Sequence, residues 1–305
     1  METKSKNNSI TAALMLCTAA IIWGGSFVAQ KVGSGVVGPF MFIGVRTMLG
    51  SIVLLPVIWM MHARGRKVDT YKAPDVRKSV RWGVLCGVFL FLATVLQQVG
   101  IEFTTAGKSA FLSALYVVFV PVFSAVAFKK KVGWNVWVGV LLTAVGLYLL
   151  CIYGTEDLTI SRGDLITLAC SIFFAFQIMA IERANSKKNR VDGVILSCAQ
   201  FFTAGSLALG GAFLFENIDF NAVLSVAPAL LYSGILSCGV AYTFQVLAQK
   251  KVEASAASLI LSSESLFAVL AGAFILGESL GLKEIFGCVF IFAAILLSQL
   301  KKSKQ

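Results

Sequence analysis

Ten stretches of about twenty apolar residues occupy most of this 305-residue chain. At a rise of about 1.5 Å per residue, an α-helix of that length crosses a hydrocarbon core about 30 Å thick. We therefore predict an all-α, polytopic membrane protein with ten transmembrane helices. We number them span 1 to span 10, at about residues 10–29, 38–61, 82–100, 105–128, 134–153, 163–181, 192–213, 224–248, 254–276 and 284–300.

The composition excludes a water-soluble globular protein. The mean hydropathy is +0.85, and only 13% of the residues are charged, against about a quarter in soluble domains. The first stretch follows Lys4 and Lys6 as a signal peptide would, but nine further stretches come after it, so we expect a retained helix. The longest break, residues 62–81, is too short to form a soluble domain.

The basic residues indicate how the chain is oriented. Most of the 26 Lys and Arg residues lie in segments on one side of the predicted membrane, whereas the other side has few of them and several acidic residues. By the positive-inside rule, both termini are expected to be cytoplasmic in a multi-pass protein of the plasma (inner) membrane. The net charge of +11 is thus a topology signal and does not indicate nucleic-acid binding, although the basic segments also favour contact with anionic lipid.

The two halves of the chain can be aligned with each other. Residues 97–150 overlie residues 245–298 without a gap, a shift of 148 positions (97 to 245), and the span boundaries coincide. Because each half has an odd number of spans, five, the second half enters the membrane in the opposite direction. We therefore predict two inverted five-helix repeats, residues 10–153 and 163–300. The aligned pairs include Gln97 with Gln245, Tyr116 with Glu264, and, more loosely, Trp23 with Phe174, Ser26 with Gln177 and Arg46 with Gln200.

Four segments resemble those of a known family: IIWGGSF at 21–27, GVRTMLG at 44–50, TTAGKSAFLSALYVVFVPVFSAV at 104–126 and ASAASLILSSESLFAVLAGAFILGESL at 254–280. Over about residues 10–300 the chain is similar to the ten-helix EamA-type members of the drug/metabolite transporter superfamily. The resemblance implies that spans 1–4 and 6–9 surround a central substrate cavity, with spans 5 and 10 at the periphery. One departure is that Lys129 and Lys130 replace the family's Gly-Glu pattern, which Gly277 and Glu278 keep.

Two formally charged side chains lie well inside the spans, Arg46 in span 2 and Glu264 in span 9. Counted from the span ends at about 1.5 Å per residue, they lie at nearly the same depth. An ionised group in hydrocarbon is costly, so such residues normally face a cavity or each other. We hypothesise that they pair when the cavity is empty and separate when a zwitterionic substrate binds. The alternative is a permanent structural ion pair.

Further polar residues occupy related depths in both repeats, and lipid cannot satisfy their hydrogen-bonding groups. Interhelical hydrogen bonds are the alternative explanation for the glutamines, and core packing is the alternative for Trp23. The predicted substrate-binding residues of the cavity are Trp23, Arg46, Gln97, Tyr116, Gln177, Gln200, Gln245 and Glu264.

The sequence contains no enzyme signature. It has no G-x-x-x-x-G-K-[ST] loop and no H-E-x-x-H motif, and the single histidine, His62, lies in the basic segment after span 2. The seven cysteines lie in apolar stretches without C-x-x-C spacing, which is typical of small core residues. We predict that the protein is not an enzyme, with no catalytic residues, no metal and no cofactor.

Together, these features predict a secondary transporter of small organic metabolites or amino acids that works by alternating access. Export is implied by the family resemblance alone. Nucleotide-sugar or phosphorylated-metabolite exchange is an alternative within the superfamily, and an intramembrane enzyme or a scaffold is an alternative outside it. The substrate, coupling to protons or to a counter-substrate, and the oligomeric state stay open.

Overall fold

A computed structural model describes residues 2–65, 74–103, 106–127, 129–151, 161–276 and 282–299. Throughout these ranges the regular structure is helical, with no β-strand. Gly277 and Glu278 of the family pattern lie outside the described residues.

The helices follow the predicted spans. Seven helical segments are long and apolar enough to cross a membrane, and three shorter apolar segments fall at spans 5, 9 and 10. Within the described residues, this confirms the predicted all-α, ten-span fold. The bounds are Glu2–Gly33 for span 1, Pro39–Gly65 for span 2, Val76–Glu102 for span 3, Ala106–Ala114 and Tyr116–Val126 for span 4, Trp134–Cys151 for span 5, Arg162–Ala184 for span 6, Gly193–Phe215 for span 7, Ala227–Leu231 through Thr243–Ala248 for span 8, Ala254–Leu261 and Glu264–Leu276 for span 9, and Leu282–Gln299 for span 10; a short helix, Phe220–Ser225, precedes span 8.

Side-chain caps fix where several spans begin. The Asp75 carboxylate accepts from the Lys78 N–H at the start of span 3, and Asp192 accepts from two N–H groups at the start of span 7. Span 6 begins with a reciprocal capping box between Ser161 and Asp164. Such caps satisfy N–H groups that have no partner inside the helix.

The packing of the spans has pseudo-two-fold symmetry. Span 2 packs on spans 7 and 8, span 3 on spans 6 and 7, span 1 on spans 8 and 9, and span 4 on span 6. When each span is replaced by its equivalent in the other repeat, so that span 1 becomes span 6 and span 2 becomes span 7, the same pairs of neighbouring spans result. Spans 5 and 10 pack on each other and on parts of spans 4 and 9. They therefore lie beside the group formed by the other eight spans.

Contacts between the span ends separate the chain into two faces. On one face, which we call the basic face, Asp75 N–H donates to the Arg190 carbonyl, and Glu182 accepts from Lys130 and from the Ala254 N–H. On the other, the acidic face, the Glu216 carboxylate accepts from the N–H groups of Phe40 and Met41 at the start of span 2 (2.7 and 2.9 Å). The spans therefore alternate in direction as an inverted repeat requires.

Spans 4 and 9 are each interrupted at the same position of their repeat. Span 4 breaks at Leu115 and span 9 at Ser262 and Ser263, and a shift of 148 residues carries Leu115 onto Ser263. At both positions the backbone N–H bonds the carbonyl three residues earlier, Leu112 or Ile260, rather than the one four residues earlier. The Ser263 hydroxyl also donates to the Ile260 carbonyl at 2.6 Å, which competes with regular helix formation.

Span 8 contains an unusual wide helix. Residues Tyr232–Tyr242 form a π-helix between the α-helical segments Ala227–Leu231 and Thr243–Ala248. A π-helix is uncommon and is often found at functional sites. This one turns Ser237 and Tyr242 toward the centre of the protein, where both line the cavity described below.

Candidate functional site

A small cavity lies where the breaks of spans 4 and 9 face each other. Its volume is about 30 Å³, which is room for about one or two water molecules. Spans 1, 2 and 3 of the first repeat and spans 6, 8 and 9 of the second all contribute to its wall, as does Tyr116 from span 4. The lining residues are Trp23, Ser26, Phe27, Gln30, Arg46, Gln97, Tyr116, Phe174, Gln177, Ile178, Ser237, Tyr242, Gln245 and Glu264.

Seven of the eight residues predicted from the sequence line this cavity, and Gln200 does not. Gln200 is fully buried in span 7 behind Gln177, whose side-chain amide donates to it. The structure thus brings seven predicted residues together and places Gln200 one hydrogen bond away. Their role in substrate binding stays a prediction.

Three glutamines of the second repeat form a continuous chain of hydrogen bonds. The amide nitrogen of Gln245 donates to the Gln177 oxygen at 3.2 Å, and the Gln177 nitrogen donates to the Gln200 oxygen at 3.3 Å. This chain, which we call the glutamine chain, ties spans 8, 6 and 7 together. It is the kind of interhelical hydrogen bonding that the sequence left as an alternative for these residues.

The equivalent positions in the first repeat are occupied by Gln97, Ser26 and Arg46, which we call the arginine triad. The Ser26 and Arg46 side chains are each 2% exposed. Among the described residues, the Ser26 hydroxyl and two nitrogens of the Arg46 guanidinium, Nε and Nη1, have no hydrogen-bond partner. Buried polar groups are normally satisfied, so these unpartnered groups in a cavity wall are an exception that needs a reason.

Glu264 is hydrogen-bonded to Tyr116, the equivalent residue of the first repeat. The Tyr116 hydroxyl donates to Glu264 Oε1 at 3.1 Å, and these two residues begin the second helices of the broken spans 4 and 9. The start of a helix favours a negative charge because its N–H groups point outward along the axis. No ion pair joins Glu264 to Arg46 among the described residues, so the pairing expected for the empty cavity is wrong in this conformation.

Aromatic rings form the remaining wall. The Trp23 and Tyr242 ring centroids are 4.5 Å apart, and the Trp23 indole N–H donates to the Ser237 carbonyl in the π-helix at 3.4 Å. Tyr116 and Phe174 meet edge to face at 6.2 Å. The cavity therefore combines one cation, one carboxyl group and apolar surface.

Sequence reasoning missed several lining residues. Tyr242 lies three residues before Gln245 in span 8, and residues three apart share a helix face, so that spacing could have identified it. Gln30 lies one turn after Ser26 and could have been found in the same way. Ser237 carried no such signal, because a sequence pattern does not show where a π-helix will widen the turn.

Two larger hollows open at the basic face, with volumes of about 690 and 330 Å³. Both include Lys130 and Glu182, which form an ion pair between the segment after span 4 and the end of span 6. Trp82, Arg183 and Lys188 line the larger hollow. The central cavity is much smaller than either hollow in this conformation.

The sequence matches a family model twice, over residues 10–152 and 161–300, and that model describes the EamA-like transporter family. The chain belongs to the EamA-like transporter family. It is a multi-pass membrane transporter built from two copies of the family's unit.

Similar proteins match along almost the whole chain. An uncharacterized transporter of Archaeoglobus fulgidus is 29% identical over 290 residues, which cover 95% of this chain and 86% of the relative. The uncharacterized transporter YoaV of Bacillus subtilis is 24% identical over 304 residues, covering 97% and 99%. A solved crystal structure at 17% identity superposes with a TM-score of 0.74 over 95% of this chain and 96% of its own, and shows the same fold.

Proposed function

We propose that this EamA-like protein is a secondary transporter that moves small organic metabolites or amino acids across the plasma membrane by alternating access. The observation that carries the proposal is the cavity enclosed by both inverted repeats at the breaks of spans 4 and 9. Secondary transporters of inverted-repeat architecture bind substrate at such a point and rock one part of the protein around it.

Spans 1 and 9, and the equivalent spans 6 and 4, contact each other in related but different ways on the two sides of the breaks. Toward the acidic face, span 1 packs so tightly on span 9 that a Cβ at Gly24 would lie 2.7 Å from the Phe267 Cβ. Toward the basic face, the related contact between spans 6 and 4 is made by stacked rings, with Phe123 and Phe176 centroids 5.1 Å apart. In the proposed cycle the aromatic contact separates when the cavity opens to the basic face, and the Gly24 contact separates when it opens to the acidic face.

The orientation and direction belong to the same proposal. The distribution of Lys and Arg supports a cytoplasmic basic face, with both termini cytoplasmic. Export is proposed from the family resemblance, with a substrate or proton gradient as the energy source. Exchange of nucleotide sugars or phosphorylated metabolites is the weaker alternative, because such anions favour several cavity-facing cations and Arg46 is the one cation among the lining residues that the structure describes.

Uptake into proteoliposomes tests this function. Vesicles containing the purified protein are given a labelled pool of amino acids, nucleobases and nucleotide sugars, and protein-free vesicles and vesicles with Glu264→Gln serve as controls. We expect saturable accumulation of one class by the wild type, none in protein-free vesicles and slower accumulation with Glu264→Gln, and a pH jump across the membrane then tests proton coupling. Equal accumulation in protein-free vesicles for every class would rule out the transport proposal.

A further inference from the structure

The glutamine chain and the arginine triad occupy equivalent places but differ in charge and in their bonds to one another: among the described residues, the glutamines are linked by two hydrogen bonds, with Gln245 Oε1 and Gln200 Nε2 left over, whereas Ser26 and the charged Arg46 guanidinium keep unpartnered groups. In the second repeat, Gln177 both donates and accepts, and it links Gln245 to Gln200. In the first repeat, Ser26 stands where Gln177 stands and Arg46 where Gln200 stands, and neither Ser26 Oγ nor Arg46 Nε and Nη1 has a partner. The short serine side chain cannot bridge its neighbours as the glutamine does.

We propose that Arg46 and Ser26 form a carboxylate-binding subsite, opposite the Glu264 carboxyl group, which binds the ammonium group of the same substrate. The substrate would then be a zwitterion, such as an α-amino acid, which binds when the proposed cycle widens the cavity beyond its volume of about 30 Å³ in this conformation. This inference rests on the proposed transport function and adds to it the substrate's charge pattern and its orientation in the cavity.

The charges of the cavity wall support a substrate with both signs. Arg46 and Glu264 are the charged lining residues among those described, and no ion pair joins them. Both side chains belong to the wall of the same cavity, so one ligand can meet both charges. A simple anion would leave Glu264 facing negative charge, and a simple cation would leave Arg46 facing positive charge. A zwitterion compensates both.

The chemistry of the guanidinium favours a carboxylate. Arginine stays charged and presents several N–H donors in one plane, which suits a planar carboxylate, and hydrogen bonds between charged partners are the stronger ones. An unpartnered buried cation is costly to the folded protein. Arg46 therefore lowers the stability of the protein relative to a neutral residue such as its equivalent, Gln200. A charge that is kept at a cost to stability is typical of a functional site.

The remaining wall would contact the substrate's side chain. Trp23, Phe27, Phe174 and Ile178 contribute apolar surface to the same cavity wall. Such surface favours an apolar or aromatic side chain over a charged one, because a third charge would be desolvated without a partner. Phenylalanine and leucine are therefore suitable probes.

The test removes one charge from the ligand and one from the protein. Labelled phenylalanine and leucine are competed with their methyl esters, which lack the carboxylate, and with the corresponding deaminated acids, which lack the ammonium group. For the wild type we expect each analogue to compete at least about tenfold more weakly than the amino acid, as the loss of a charged hydrogen bond implies. Binding is read from the ligand-induced rise in melting temperature and transport from uptake into proteoliposomes.

The variants should give a crossed pattern. Arg46→Gln should lose the preference for acid over ester and keep the preference against the deaminated acid, whereas Glu264→Gln should do the reverse. General structural damage would reduce both preferences together. Gln200→Met, at the symmetry mate of Arg46, is the matched control, and we expect it to leave both ratios as in the wild type even if it melts earlier.

Each result decides the inference. A wild type that accepts the methyl ester as well as the acid overturns it, and so does an Arg46→Gln protein that melts like the wild type but loses both preferences equally. If Arg46→Gln does not fold, two other variants test the subsite. Arg46→Lys should keep the preference for the acid over the ester, and Ser26→Ala should reduce that preference several-fold. An unchanged preference in Ser26→Ala, together with a lost preference in Arg46→Lys, would overturn the subsite. Transport of nucleobases without amino acids would leave the transport function standing and overturn the subsite. The crossed pattern in binding, without uptake of any probe, would support the subsite and overturn the transport function.

Discussion

The two repeats of this transporter share one architecture but use their buried polar groups differently. The three glutamines of the glutamine chain bond one another across spans 6, 7 and 8, with only Gln245 Oε1 and Gln200 Nε2 of the chain left without a partner among the described residues, and Gln177 and Gln245 also line the cavity. The arginine triad, at the same places in the first repeat, leaves Ser26 and Arg46 unpartnered. The comparison teaches that symmetry in the fold does not impose the same hydrogen bonding on equivalent positions of the two repeats.

The broken spans show the opposite behaviour, because there the repeats cooperate. Tyr116 and Glu264 are equivalent residues at equivalent breaks, and they bond each other across the pseudo-two-fold axis. A glutamate is thus stabilised by the tyrosine that holds its place in the other repeat. The asymmetric pair of charges, Arg46 and Glu264, therefore comes from one substituted position in each repeat.

The largest effect on stability is expected when an arginine is placed in the second repeat, at the position equivalent to Arg46. Gln200→Arg would bury a cation in span 7 away from the cavity, where a Cβ at Gly87 of span 3 would already lie 2.7 Å from the Gln200 carbonyl oxygen. We expect a loss of about 3 to 5 kcal/mol, as for other uncompensated buried charges. Arg46→Gln should melt no earlier than the wild type, because it removes such a charge. Melting temperature and the yield of monodisperse protein measure both, and a Gln200→Arg protein as stable as Arg46→Gln would contradict the comparison.

The next effect separates Gln177 from its equivalent, Ser26. Gln177→Leu removes the middle of the glutamine chain and leaves Gln245 and Gln200 without their bonds, which should cost about 1 to 3 kcal/mol. Ser26→Ala removes a hydroxyl that has no partner, so its stability should change by less than about 0.5 kcal/mol. Thermal or denaturant unfolding in detergent compares the two. Equal losses would show that the arginine triad is as structural as the glutamine chain.

A smaller effect is expected at the bond between the breaks. Tyr116→Phe removes one hydrogen bond to Glu264 and should cost about 0.5 to 2 kcal/mol. A double-mutant cycle with Glu264→Gln gives their interaction free energy, which we expect to be at least about 0.5 kcal/mol because the side chains are in contact. Purely additive losses would show that the bond contributes nothing beyond the separate side chains.

The smallest effect should come from a surface cap outside both sets. The Lys78 backbone N–H that donates to Asp75 holds the pKa of that carboxyl below its ordinary value, and the charge of Lys78 acts in the same direction. Because the pKa is lowered by folding, the stabilisation is complete above the unfolded pKa, which is about 3.9, and is lost as the pH falls through the folded value.

Asp75→Asn should therefore show a slightly shallower loss of melting temperature below about pH 4.5 than the wild type. Asparagine keeps a capping oxygen but has no charge to lose, and transport at neutral pH should be unchanged because Asp75 lies at the basic face, away from the cavity. Melting curves between pH 3.5 and 6, with uptake measured at pH 7, check both points. An altered ratio of acid to ester competition in this variant would mean that such ratios do not report on the cavity alone.

Much of the fold was predictable from single residues and their spacing. The ten apolar stretches correspond to ten spans in the structure. The gap-free shift of 148 residues made Leu115 and Ser263 equivalent positions, but it did not show that the helices break there. Arg46 and Glu264 stood out because a charge in hydrocarbon is rare. Their expected ion pair is absent among the described residues, where Glu264 accepts from the Tyr116 hydroxyl.

The sequence by itself determined the number of spans, their alternation and the depth of the buried polar residues, because the cost of placing polar groups in lipid depends on residue type and position along a helix. Only the tertiary structure decided which polar groups meet. That depends on how each helix is rotated about its axis, on where the π-helix of span 8 places Ser237 in the cavity wall, and on how closely Gly87 lets span 3 approach span 7. Those packing choices separated Gln200, which bonds within the protein, from Arg46, whose donors face the cavity without a partner.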